Sequence, residues 1–293
     1  EAFATVRPKL IVSVPLIIEK IIRTKVFPLL DKPMMKILLH VPFVDDHLLA
    51  KIKERLTDTF GGELQEIVIG GAALNKDVET FLRRIGFPFT VGYGMTECAP
   101  LISYAPWDET RPGSCGRLVD RMEVRVASDD PANIPGVISV RGDNVMKGYF
   151  KNQKATDEVL SDDGWMSTGD IGCVDADGYI YLRGRDKNMI LGPSGQNIYP
   201  EEIEQKLNNM PYVAESVVID AGNGRLEALI YPDMDSALQQ KVDSAELDQV
   251  MADNIAQLNR ELPAYSQIAH HRLMSEEFEK TPKRSIKRYL YQR

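Results

Sequence analysis

From Gly164 to Glu204 the chain reads GWMSTGDIGCVDADGYIYLRGRDKNMILGPSGQNIYPEEIE, which combines an aspartate after a glycine, an arginine between glycine and aspartate, a glycine loop and a helix start. Asp170 can accept from two neighbouring hydroxyls at once, Arg185 offers a planar fork of donors, and the glycines let a backbone approach a ligand closely. Together they suggest a nucleotide. The plainer alternatives are that Asp170 caps a turn after Gly169, and that Arg185 and Asp186 form a surface ion pair of little energetic weight. Within the stretch, YIYLRG (179–184) alternates as a strand. Pro200 at a first helical position, followed by Glu201 and Glu202, starts a helix whose dipole favours those acids.

Upstream, Leu48, Leu49, Ile52, Leu56 and Phe60 recur at helical spacing, with Asp45 or Asp46 as the expected N-cap. LQEIVI (64–69) then reads as a buried strand. Asn75 caps a helix carrying Val78, Leu82 and Ile85, Gly86 ends it, and FPFTV (87–91) is a second strand. This is a βαβ unit with an expected right-handed crossover. Its loops GGAAL (70–74) and GYGMTE (92–97) follow the strands, and so lie at the carboxyl edge where open α/β sheets bind ligands. From Arg111 to Arg141 the texture changes to short alternating runs, MEVRVA and GVISVRG, broken by Pro112, Pro131 and Pro135. These predict antiparallel strands of a smaller β subdomain.

Downstream, VAESVVI (213–219) and RLEALIY (225–231) alternate as strands. Leu247, Val250, Met251, Ile255, Leu258 and Leu262 mark a helix over 243–262, and IAHHRLM (268–274) closes a last strand. The expected fold class is α/β. A large domain over 1–186, with its βαβ unit at 45–97 and its β subdomain at 111–184, is followed by a small α+β domain over 187–293. The boundary falls near Asp186 and Lys187.

Composition narrows the function. With 43% hydrophobic and 27% charged residues the 293-residue chain is an ordinary globular protein, and its net charge of -8 argues against nucleic acid as a partner. A basic tail from Lys280 to Arg293 is the local exception, a solvated segment or a contact for phosphates or an anionic membrane surface. Three cysteines, Cys98, Cys115 and Cys173, have neither disulfide nor zinc spacing, which fits a reducing cytoplasm. The most apolar run, Leu10 to Ile22, is too short and too interrupted by Pro15 and Glu19 to span a bilayer. His40, His47, His270 and His271 have no ligand spacing, and Cys98 has no nearby base to make it a nucleophile. Trp165 and Tyr149 are assigned to packing. Oligomeric state is not legible.

Five ordered segments carry a resemblance: GGAAL (70–74), YGMTE (93–97), GYF (148–150) within GDNVMKGYFKNQKAT, STGD (167–170), and YLRGRDKNMI through PEEIE (181–204). They resemble the signature segments of acyl-adenylate-forming enzymes. The opening RPKLIVSVPLIIEKI and the ending TPKRSIKR are similar to the long-chain fatty acid CoA ligase branch. The resemblance implies a two-step reaction in which a fatty acid and ATP give an acyl-adenylate and pyrophosphate, and CoA then displaces AMP. It also implies a C-terminal domain that rotates between the steps.

Carried onto this chain, the resemblance implies that Gly71 and Ala72 line the adenine site, with Tyr93 and Gly94 beside the base. Thr96 would contact phosphate and Glu97 would hold Mg²⁺, a hard cation suited to a carboxylate and bridging phosphates. Asp170 would accept both ribose hydroxyls with help from Arg185. Lys187 matches the hinge, Gly195 the glycine lining the pantetheine channel, and Lys287 the lysine that neutralises charge between carboxylate and α-phosphate. Such stabilisation of developing charge is typically worth about 3 to 4 kcal/mol per donor.

The chain departs from the family pattern in two places. Ile286 precedes Lys287 where most of the superfamily has glycine. The Ser/Thr/Gly-rich phosphate loop has no counterpart here, and no GxxxxGK[ST] occurs. That loop is expected upstream of Glu1, so the chain is expected to be the C-terminal part of the enzyme and inactive alone. Two other readings stand beside acyl-CoA formation: acyl transfer to acyl carrier protein, and a nucleotide-binding fragment without catalysis.

Overall fold

A computed structural model describes residues 2–30, 32–38, 44–222, 224–281 and 285–292. His40, and Lys283 and Arg284 of the basic tail, lie outside the described residues. The chain forms two compact units, Glu1–Thr168 with Gly172–Leu182, and Gly169–Ile171 with Arg183–Arg293. Among the described residues no helix is long and apolar enough to cross a membrane.

The first unit opens with helix α1 (Ala2–Val6), strand β1 (Leu10–Ser13) and helix α2 (Pro15–Ile21). A π-helical turn (Ile22–Val26), α3 (Phe27–Leu30), α4 (Pro33–Leu38) and the long α5 (Val44–Thr59) follow. Because α5 begins at Val44, Asp45 and Asp46 occupy its first turn instead of capping it. There they still favour the positive end of the helix dipole. Strand β2 (Glu66–Ile69), helix α6 (Lys76–Arg84) and strand β3 (Phe89–Val91) are the expected βαβ unit, with β2 and β3 parallel. Asn75 caps α6 by accepting from the amides of Asp77 and Val78.

The apolar run after Lys9 yields a strand that its composition alone did not announce. β1 pairs in parallel with β2, giving a three-stranded sheet in the order β1-β2-β3. Ile18 and Ile22, Leu56 and Phe60 of α5, Ile67 and Ile69 of β2, and Val78 and Leu82 of α6 meet in one buried cluster. Burial of each such side chain contributes roughly 1.5–3 kcal/mol.

The β subdomain begins with β4 (Tyr93–Gly94), β5 (Leu101–Tyr104) and β6 (Arg117–Leu118), a small antiparallel sheet. Next come β7 (Met122–Val126), β8 (Gly136–Gly142), helix α7 (Gln153–Asp157), β9 (Met166–Val174) and β10 (Ile180–Arg185). β7 and β8 pair antiparallel as their alternation predicts, within a sheet ordered β10-β9-β8-β7. The nine-residue β9 was hidden by its glycines. Gly172 is required there because a Cβ would fall 2.4 Å from the Tyr181 carbonyl oxygen. Arg125 and Arg141 lie over the Trp165 ring at 4.4 and 4.9 Å, the packing role expected for that tryptophan.

In the second unit a hairpin of β11 (Ile190–Leu191) and β12 (Asn197–Ile198) leads into α8 (Pro200–Leu207). The sheet that follows has the order β13 (Val213–Asp220), β14 (Leu226–Pro232), β15 (Ile268–Leu273), with α9 (Met234–Gln239) and α10 (Ser244–Glu261) between the last two. β13 and β14 are antiparallel, and β15 joins β14 in parallel. Both faces of this sheet are covered. Val218, Ala228 and Ile230 pack with Ile203, Leu207, Met251 and Leu258 from the helices. On the opposite face Val217, Ile219 and Leu229 pack with Phe278, Ile286 and Tyr291 of the C-terminal segment. The period-two alternation of strand side chains explains why VVI is apolar throughout.

Candidate functional site

In the first unit the two loops sit side by side at the carboxyl edge of the parallel sheet. The Gly70 amide bonds the Ser13 carbonyl at the end of β1, and the Gly92 amide bonds the Ile69 carbonyl at the end of β2. Gly71 and Ala72 are exposed on the 70–74 loop, and Gly71 has φ 86°, a left-handed conformation that glycine adopts without strain. The loop is fixed from behind, because the Asn75 amide donates to Glu19 Oε1 at 2.7 Å. Burial raises the Glu19 carboxyl pKa, partly countered by that amide.

Tyr93, Gly94, Thr96 and Glu97 lie on β4 and the short 3₁₀ turn Thr96–Cys98. The Tyr93 ring is buried in the cluster of Ile102, Met122, Ile138 and Val140. Gly94 is exposed, and no side chain fits there: a Cβ would fall 2.1 Å from the Pro100 carbonyl oxygen. That close approach forms the turn, with the Met95 amide bonded to the same oxygen at 2.8 Å. Thr96 is exposed and Glu97 half-buried.

Residues 144–149 brace this turn in a way the sequence reading missed. The Tyr149 hydroxyl donates to Glu97 Oε1 at 2.9 Å, and the Met146 amide donates to the Glu97 carbonyl at 2.7 Å. Asn144 Nδ2 donates to the carbonyls of Cys98 and Leu101, each at 2.8 Å. Desolvation, then the bond to Glu97, raises the Tyr149 pKa, so the phenol keeps its proton at neutral pH. Membership of the GYF segment was the available signal. Cys98 is buried, and desolvation pushes its thiol up to about 11, which leaves it protonated and unsuited to nucleophilic work.

No group of three His, Cys, Asp or Glu is gathered for a metal among the described residues. Glu97 offers one carboxylate on this turn, a donor that would suit a hard cation whose other ligands came from elsewhere.

In the second unit Arg185 Nε lies 2.8 Å from Asp170 Oδ1, a pair formed between β9 and β10. The sequence alternative had placed that arginine beside Asp186. Asp170 is nearly buried and Arg185 is half-exposed, at 9% and 55% of the side chain. The guanidinium therefore holds the carboxylate in place from the solvent side. Lys187 is exposed in the 3₁₀ turn Asp186–Asn188, which follows β10 directly. Gly195 is at the tip of the β11–β12 hairpin with φ 84°, and a Cβ there would meet nothing within 4 Å.

Lys287 lies on the C-terminal segment, with its ammonium 3.1 Å from Glu279 Oε2 and its amide bonded to the Glu279 carbonyl. The carboxylate raises the lysine pKa, so Lys287 is a cation at neutral pH. Its neighbour Arg288 was read as part of the basic tail but is mostly covered, with Nη1 at 2.6 and 2.7 Å from the two oxygens of Glu204. Burial pushes the Glu204 carboxyl up to about 7 against the pull of Arg288.

These features define a mixed α/β fold with an acidic turn at the carboxyl edge of a parallel sheet, and solved structures share that fold. ATP-bound MatB from Rhodopseudomonas palustris superimposes with a TM-score of 0.70 at 24% identity, covering 98% of this chain and 50% of that one. The o-succinylbenzoate CoA synthetase of Bacillus subtilis in complex with its acyl-adenylate gives 0.70 at 22% identity, covering 97% and 50%. The AMP-binding enzyme family matches residues 1–150, and the AMP-binding enzyme C-terminal domain matches residues 187–293. The chain belongs to the AMP-binding enzyme family.

Among curated relatives, a long-chain-fatty-acid–CoA ligase of Yersinia pestis is 40% identical over 176 residues, which are 58% of this chain and 31% of that protein. A 2-succinylbenzoate–CoA ligase of Bacillus cytotoxicus is 36% identical over 178 residues, 59% of this chain and 37% of that protein. The chain thus spans about a third of the length of these relatives.

Proposed function

We propose that the complete protein joins a long-chain fatty acid to CoA through an acyl-adenylate, consuming ATP. The observation that carries this reading is the braced acidic turn, in which Tyr149 and the Met146 amide hold Glu97 where the loops 70–74 and 92–97 open at the sheet edge. The choice of a long-chain acid rests on the Yersinia pestis relative and on the similarity of both chain ends to that branch.

In this reading Gly71, Ala72, Tyr93 and Gly94 form the adenine side, and Thr96 donates its hydroxyl to phosphate. Glu97 would hold Mg²⁺, which would supply charge neutralisation at the phosphates. Asp170, oriented by Arg185, accepts from the ribose hydroxyls. Lys287 brings a positive charge to the oxygens of the carboxylate and α-phosphate as the anhydride forms. Lys187 is the hinge residue, and Gly195 leaves room for the pantetheine arm when CoA attacks.

The test is pyrophosphate exchange into ATP by the complete protein, with palmitate, 2-succinylbenzoate and 4-coumarate as candidate acids. Exchange that depends on palmitate, followed by palmitoyl transfer to CoA, is the expected result. Exchange only with an aromatic acid overturns the substrate class, and transfer only to acyl carrier protein overturns the acceptor.

A further inference from the structure

Arg288 is a charged residue in a segment that looks like a solvated tail, yet its side chain is only 12% exposed. It reaches between α8 and β13. Nη1 donates to both carboxylate oxygens of Glu204 at 2.6 and 2.7 Å, and Nη2 donates to the Val218 carbonyl at 2.9 Å. The Val218 amide in turn donates to Glu204 Oε1 at 2.6 Å. One residue of β13 is thereby clasped from both sides, by a helix and by the C-terminal segment. Arg288 Nε is buried without a hydrogen-bond partner among the described residues.

A buried ion pair with an unsatisfied donor is a poor device for stability, because an apolar pair of similar volume often does as well or better. Apolar packing already fastens this segment through Phe278, Ile286 and Tyr291. What the pair adds is position. It fixes the backbone at Arg288, the residue next to Lys287, in depth and in direction. With Arg288 turned inward, the Lys287 side chain stays partly exposed, at 31%, beside Glu279.

We propose that Arg288 and Glu204 are positioning residues that aim the Lys287 ammonium for the adenylation step. This inference rests on the reading of Lys287 given above. A group displaced by about 1 Å can lose on the order of a hundredfold in rate, so anchoring the adjacent residue protects that step. Neither residue need touch a substrate for this role.

The complete ligase serves for the test, with adenylation and thioester formation from supplied acyl-adenylate measured separately. The double variant Glu204→Met/Arg288→Met replaces the pair with apolar side chains of similar volume. Its expected behaviour is an unchanged or raised thermal midpoint, thioester formation within about twofold of the parent, and an adenylation kcat lower by about tenfold or more with a steady KM for ATP. Arg288→Lys keeps a charge but not the three-bond reach, and the same split is expected should the double variant fold poorly. Equal losses in both half-reactions, or no loss in either, overturn the positioning role. Lys287→Ala is run alongside. If it leaves adenylation intact, the Lys287 reading fails and the inference with it; if it abolishes adenylation while Arg288→Lys does not, only the inference fails.

Discussion

The hydroxyl of Tyr149 donates to Glu97 Oε1 across 2.9 Å, tying a segment more than fifty residues downstream to the acidic turn after β4. If Glu97 holds Mg²⁺ as proposed, Tyr149 orients the ligating carboxylate. Loss of such an outer partner typically costs about tenfold to a hundredfold in metal affinity. Tyr149→Phe in the complete protein is expected to raise the Mg²⁺ concentration needed for half-maximal pyrophosphate exchange, with a smaller effect at saturating Mg²⁺. An unchanged Mg²⁺ titration would show that the hydrogen bond is structural only.

The Asp170–Arg185 pair predicts how the ribose is read. A hydrogen bond to a charged acceptor is worth about 1.5–3 kcal/mol, so 2′-deoxy-ATP should be a worse substrate than ATP by roughly tenfold to a hundredfold in kcat/KM. Asp170→Ala should remove most of that preference, and Arg185→Ala should weaken it less, because the carboxylate would remain. Parallel kinetics with the two nucleotides decide the matter. If Asp170→Ala keeps the full preference, the ribose assignment is wrong.

Gly195 and Lys287 are expected to fail in opposite half-reactions. Lys287→Ala should slow adenylation by about a hundredfold to a thousandfold, the usual effect of losing one group that stabilises developing charge. Thioester formation from supplied acyl-adenylate should suffer far less. Gly195→Trp should do the reverse. Its left-handed backbone makes any side chain there somewhat strained, so Gly195→Asn, which tolerates that conformation better, serves as the comparison. Equal losses in both half-reactions for Lys287→Ala and Gly195→Trp would contradict the division of labour.

Glu204 predicts a pH dependence of stability. Burial raises its pKa from 4.5 to about 7, while Arg288 and the Val218 amide pull it down and Glu201 adds to the rise. A carboxyl whose folded pKa lies above its unfolded value makes the folded state the better proton binder. Its contribution is full below about 4.5 and is lost as pH rises through about 7. The thermal midpoint should therefore fall across that interval, and Glu204→Gln, which cannot titrate, should flatten the fall. An identical slope in both proteins would locate the dependence elsewhere.

Much of the scaffold was readable from pattern. Asn75 and Gly86 bracket α6 as their chemistry predicts, the alternation of MEVRVA and GVISVRG is that of β7 and β8, and VAESVVI and RLEALIY form β13 and β14. β1 and β9 were harder to see. An apolar run such as Leu10–Ser13 has no period of its own to separate strand from helix, and MSTGDIGCV carries glycines that usually argue against a strand. Asp45 and Asp46 looked like caps because a sequence shows the preferred residue types without the backbone angles that decide which position they occupy.

The sequence by itself determined the inventory: the ordered segments from GGAAL to PEEIE, their spacing, and the residues for which the resemblance implies roles at a nucleotide, a magnesium ion and a developing negative charge. Residues close along the chain act through local geometry, and local geometry is what sequence pattern reports. The tertiary structure alone decided the partners. Tyr149 reaches Glu97, Arg185 turns to Asp170, and Arg288 leaves the basic tail to bury itself on Glu204. Each of these is a contact between distant segments, set by how strands and helices pack, and a charge or hydroxyl carries no mark in the sequence of the group it will face.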